Sequence, residues 1–141
     1  MAGAGPDCIF RSIVAGDSPS SPVYDDDRVL AFMDINPATT GHLLVVPKRH
    51  ATYLENLDQR DGAAMFAAAQ RLAAAVRRAL DAEGVNLFLA DGEVAGQEAF
   101  HVHLHVLPRR PDDGFGVRAR FEHPERAVLE SRAALIRGAL D

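Results

Sequence analysis

A chain of 141 residues fits a single domain of ordinary size, long enough to bury a core without disulfide staples. Apolar residues make up 48% and charged residues 25%, which excludes a disordered tail, a collagen-like chain and a disulfide scaffold. Twenty acidic against fifteen basic residues give a net charge of −5; this argues against a sheath for long nucleic acid but leaves room for a small nucleotide in a local pocket. No apolar run approaches the ~20 residues of a membrane helix, so no membrane partner is expected. Met1–Pro6 has neither the basic nor the apolar region of a signal peptide, and the single Cys8 fits a reducing compartment, so the expected location is cytoplasmic.

In chain order, Asp7 is placed to cap a short helix from Cys8 to about Ala15, with Gly16 and Asp17 ending it and Ile9, Phe10 and Ile13 on one face. Val23-Tyr24 and Val29–Asp34 read as strands paired across the acidic turn Asp25–Asp27. A third, buried strand is expected over His42–Val46, stopped by Pro47. The strongest helix signal runs from Asp58 to Glu83. There Phe66, Ala69, Leu72, Ala73, Val76 and Leu80 recur as one buried stripe, with Asp58 as cap and Gly84 as stop. Val85–Ala90 and Phe100–Leu107 read as strands on either side of the loop Asp91–Glu98, and Pro108 ends the second. Pro124–Leu140 reads as a last helix with Leu129, Ile136 and Leu140 inward. Short turns between successive strands favour an antiparallel five-stranded sheet with helices against it, an α+β fold. Residues 1–141 are expected to form one domain, 1–110 as its core and 111–141 as a C-terminal extension carrying a helix.

Three of the six histidines fall within five residues, in His101-Val102-His103-Leu104-His105. Alternation along a strand sets these three on one face, about 6.5–7 Å apart, and Val102, Leu104 and Val106 on the other. Three imidazoles in register suit either a zinc site with an open position or nucleophilic catalysis, with one ring attacking and the others orienting it or passing protons. Gly96-Gln97 just before the strand favours the second, because backbone N–H groups and an amide there suit an anion.

The run Gly96-Gln97-Glu98-Ala99-Phe100-His101-Val102-His103-Leu104-His105-Val106 resembles the histidine-triad (HIT) nucleotide-binding and hydrolase family, whose signature alternates His with apolar residues. Asp7-Cys8-Ile9-Phe10, Ala31–Pro37 and Gly41–His50 resemble the family's first half, in the right order. The resemblance implies that His103 attacks the α-phosphate of a nucleoside phosphoryl substrate and forms a covalent nucleotidyl-imidazole. Water then releases the nucleoside monophosphate, with a purine base expected. It implies that His101 and His105 hold the phosphate and handle the leaving group, that His42 completes the cluster, and that Asp34 binds the ribose. Ile35, Phe32, Met33, Phe10 and Ile13 would wall the base, and Gly96, Gln97 and Glu98 would lie at the phosphate or leaving group. It also implies a homodimer and needs no cofactor.

Three residues depart from the family pattern. Some members hold structural zinc through Cys-x-x-Cys, a histidine placed like His50 and the first triad histidine; here Arg11 replaces the second cysteine, so no metal is expected. Ala90 stands where relatives carry Asn, and Glu98 where many carry Ser or Thr. The expected function is cleavage of a nucleoside 5'-phosphoramidate or related nucleotidyl bond. The alternatives are a dinucleoside polyphosphate hydrolase of the same fold and a nucleotide-binding regulatory protein with little turnover. Position 50 and His123 read as surface.

Overall fold

Five strands form one antiparallel sheet in the order β1-β2-β3-β5-β4, in a computed structural model that describes residues 8–140. The strands are β1 (Pro22–Asp25), β2 (Val29–Met33), β3 (Leu43–Pro47), β4 (Gly84–Phe88) and β5 (Leu104–Arg109). The helices are α1 (Ile9–Ala15), α2 (Gln59–Leu80) and α3 (Arg126–Ala139). The expected cap Asp7 and the segment Met1–Pro6 lie outside the described residues. The α+β architecture with an antiparallel five-stranded sheet is as the sequence indicates.

Alternation sorts the sheet into two faces. Val29, Ala31, Leu43, Val45, Val102 and Val106 pack against Met65, Ala68, Ala69, Leu72 and Val76 of α2. Leu30, Phe32, Leu44 and Val46 face the other way and pack with Cys8 and Phe10 at the start of α1. Asp26 makes the β1–β2 turn by accepting from the amides of Arg28 and Val29, both at 2.8 Å. Asp58 caps α2 by accepting from Arg60 N at 2.8 Å, as expected.

Several element boundaries differ from the sequence reading. The stop of α2 is Asp81 in the left-handed region (φ 54°), and Gly84 instead opens β4. Met65, not Phe66, enters the core: the two are about 100° apart around the helix, and Phe66 and Leu80 lie on the exposed side. On α1, Phe10 is buried while Ile9 faces solvent. Helix α3 carries no buried side chain, so Leu129, Ile136 and Leu140 are exposed rather than inward. β3 ends at Pro47, opposite Val29, whereas Pro108 lies inside β5 opposite Val85 rather than ending it, and the triad segment joins the ladder only at Leu104.

The end of β3 and the late entry of the triad segment into the ladder share one cause. N–H and C=O of a strand residue point to the same side, so the side on which Pro47 lacks a donor is the side its carbonyl faces. That carbonyl accepts from the His101 ring, Nε2 to O at 2.8 Å. A side chain thus occupies the place where a paired strand would run, and His101 approaches β3 through its ring instead of an amide.

Candidate active site

The histidines still alternate with core residues: Val102 and Val106 enter the α2 side, and the rings emerge on the α1 side. Four rings assemble there. His101, His103 and His105 come from the β5 approach and strand, and His42 from the residue before β3. Leu44 opposite His105 fixes the register that brings His42 Nε2 to 2.8 Å from His105 Nδ1. His101 and His103 ring positions are further set by Phe10, whose ring meets them edge-on at centroid distances of 5.9 and 5.0 Å.

The backbone fixes the tautomers. Ala38 N–H donates to His42 Nδ1 at 3.0 Å, so the neutral ring carries its proton on Nε2 and donates to His105 Nδ1. His105 then keeps its proton on Nε2. His103 Nδ1–H donates to the carbonyl of His101 at 2.8 Å, which leaves the His103 Nε2 lone pair free. A neutral imidazole with one nitrogen tied down and the other bare is a positioned nucleophile that needs no separate base.

Burial keeps these rings uncharged. Desolvation pushes His101 and His105 down to about 4, with neighbouring imidazoles adding to it, and lowers His103 and His42 as well. The pH dependence follows. An unfolded chain takes up protons on these rings below about pH 6.5, while folded His101 and His105 take none until about pH 4. Stability is therefore expected to fall as pH falls through that window, and kcat/KM to stay flat at neutrality with an acid limb below pH 6.5. An acid limb centred above 6.5 would contradict the assignment.

The remaining predicted site residues divide. The carboxylate of Asp34 is held by Asn36 N–H on Oδ1 at 2.8 Å, with Oδ2 3.5 Å from His42 Nε2. Ile35 is 91% exposed beside it. Phe32 is buried against Phe10, their ring centroids 5.7 Å apart, and Ile13 packs on the same cluster. Met33 is not brought to the site: it packs on the α2 face of the sheet. Gly96 takes a left-handed φ of 102°. Gln97 is buried with its amide engaged within the protein: it accepts from Gly92 N–H at 2.7 Å and donates to Thr52 O at 2.8 Å and Ala99 O at 3.2 Å. It closes the loop rather than presenting an amide. Glu98 is exposed, as is His123. The sequence reading missed Phe88, whose ring lies 5.7 Å from His105; the β4–β5 register pairs the two residues, a signal available once the hairpin is recognised. It also placed His50 at the surface, whereas this ring is half-buried against His101.

Two groups of metal-type donors occur among the described residues: Cys8, His50 and His101, and Asp34, His42 and His105. Neither is the set His101, His103 and His105 that a metal face would use. In the first group, Sγ and the His50 Nδ1 lie 3.5 and 3.0 Å from His101 Nδ1. The place of the fourth ligand in the zinc-binding pattern belongs to Arg11, a permanent cation that adds to the burial lowering both imidazoles. Three donors and a guanidinium do not match a four-donor structural zinc.

The antiparallel sheet, the long helix on one face and the buried imidazole cluster on the other define a histidine-triad protein. The HIT domain family model matches residues 15–112, and the chain belongs to this family of nucleotide-binding hydrolases and transferases. A HIT-like protein of Borreliella burgdorferi is 45% identical over 114 residues, covering 79% of this chain and 82% of the relative. An Arabidopsis thaliana protein named adenylylsulfatase HINT3 is 37% identical over 107 residues, 76% of this chain and 54% of the relative. The crystal structure of SMU.412c from Streptococcus mutans superposes with a TM-score of 0.92 at 41% identity, covering 100% of this chain and 90% of that one. A zinc-bound histidine-triad protein from Mycobacterium smegmatis gives 0.75 at 39% identity, covering 95% and 98%.

Proposed function

We propose that the chain hydrolyses a nucleoside 5'-phosphoramidate or related nucleotidyl bond through a covalent nucleotidyl-His103. The observation that carries this reading is the bond from His103 Nδ1–H to the His101 carbonyl, which leaves Nε2 bare in an uncharged ring. His103 Nε2 attacks the α-phosphorus, the bond to the leaving group breaks, and the leaving group takes up a proton. Water then attacks the same phosphorus, breaks its bond to His103 and returns a proton, releasing nucleoside monophosphate. His105 Nε2–H, held by the bond from His42, donates to a phosphoryl oxygen. A positioned donor of this kind contributes on the order of 3 kcal/mol in the transition state.

Asp34 binds the ribose hydroxyls, and Ile35 with Phe10, Phe32 and Ile13 lines the side where a purine base lies; the exposure of Ile35 beside Asp34 supports this. The adenylylsulfatase activity in the relative's name fits the same step with a different leaving group. The chain acts as a homodimer in the cytoplasm. The open edge of β4, with Leu87 and Phe88 exposed, and the exposed Phe66 on α2 favour pairing there, which light scattering decides. Among the described residues no helix is long and apolar enough to cross a membrane.

Turnover of adenosine and guanosine phosphoramidates, dinucleoside polyphosphates and nucleotidyl sulfates, with trapping of the labelled enzyme, tests the reading. Glu98 decides among these leaving groups: a carboxylate close to a polyanionic leaving group costs roughly 1 kcal/mol or more. Glu98→Ser is expected to raise kcat/KM on dinucleoside polyphosphates relative to phosphoramidates by about fivefold or more. An unchanged ratio removes Glu98 from the site.

A further inference from the structure

We infer that His50 is a positioning residue: with Thr52 it forms a metal-free chain of hydrogen bonds that fixes the His101 ring, and with it the residue whose carbonyl aligns the His103 nucleophile. The inference rests on the covalent role proposed for His103. Its evidence is the direction of each bond. Pro47 O can only accept, so His101 carries its proton on Nε2, and its Nδ1 is a lone pair in the neutral ring. His50 Nδ1, 3.0 Å from that lone pair, is then the donor. With its proton on Nδ1, His50 has an accepting Nε2, and Thr52 Oγ1 lies 3.3 Å from it with a hydroxyl proton to give. The chain therefore runs one way, from Thr52 through His50 and His101 to Pro47.

The same short segment grips His101 a second time. Val102 N–H donates to Ala51 O at 2.8 Å. That N–H belongs to the peptide unit whose C=O accepts from His103 Nδ1–H. The ring of His101 is thus fixed by His50 and its carbonyl by Ala51, so residues 50–52 determine where the nucleophile's anchor points. Cys8 Sγ, 3.5 Å from the same His101 nitrogen, closes the pocket from α1. The two imidazoles that zinc would join are here joined by a proton, with Cys8 beside them and the Arg11 charge acting on both rings.

Nitrogen NMR of the histidine rings tests the chain without reference to turnover. The protein as purified is expected to show His50 protonated on Nδ1 and His101 on Nε2, and to contain no stoichiometric zinc by elemental analysis. Kinetics on the best phosphoramidate then test its role. His50→Ala is expected to lower kcat about 10–100-fold while nucleoside monophosphate Kd stays within about twofold, a split expected when only alignment is lost. His50→Asn, whose amide NH2 can reach the place of Nδ1, is expected to recover most of that loss. Opposite tautomers, about one zinc per chain lost together with activity in chelator, an unchanged kcat in His50→Ala, or equal damage from Ala and Asn would each overturn the inference. The expected tautomers in a protein that turns over no nucleotidyl substrate would instead overturn the proposed reaction and leave His50 without a catalytic role.

Discussion

His103→Ala is expected to lower turnover by several orders of magnitude while leaving nucleoside monophosphate binding largely intact. Removal of the ring deletes the only nucleophile the proposed route has, so the two-step path collapses to direct attack by water. Binding survives because the contacts assigned to ribose and base belong to Asp34, Ile35 and the Phe10 cluster. Asp34→Ala is the complementary case, raising Kd for the nucleotide more than it lowers kcat. The measurements are single-turnover rates and equilibrium binding on both variants. Near-parental rates in His103→Ala on every substrate the parent cleaves would end the nucleophile assignment.

Gly41→Ala is expected to cost about 2 kcal/mol of stability, chiefly from the left-handed backbone, with the flexible end of Leu80 able to give way. Gly41 holds φ at 91°, and a β-carbon built there runs into Leu80 at the end of α2 and lies 3.3 Å from Pro108. The residue is packed between helix and strand as well as turning the chain, immediately before His42. Urea unfolding should show a lower midpoint with an unchanged slope. A loss below about 1 kcal/mol would mean that the turn relaxes freely.

Much of this was legible from the residues alone. Period-two alternation through His101–Val106 placed the imidazoles and the core valines on opposite faces, and the motif pointed to His103 as the nucleophile proposed above. The ends of elements were less legible because they depend on partners. Asp81 stops α2 where a glycine was expected, and Pro108 lies within β5 instead of ending it. Phe66 and the apolar residues of α3 fit a helical stripe in sequence but not the face each helix turns inward. Met33 followed Phe32 into the list of base contacts, though adjacent residues of a strand face opposite ways. His50 read as surface, although the relatives' zinc pattern sets it beside the first triad histidine, because its partner lies 51 residues away and leaves no local pattern.

The contact between the His101 ring and Pro47 O bears on how this scaffold tolerates redesign. Because the ring substitutes for a missing ladder bond, shortening it strands a carbonyl in a site that is otherwise closed, with His101 at 0% exposure. Libraries that randomise the triad to alter chemistry would then lose members at this position through misfolding before any activity is sampled. His105 carries the same constraint more lightly, because losing its ring unpairs the buried His42 Nε2 proton, which has the Asp34 carboxylate 3.5 Å away.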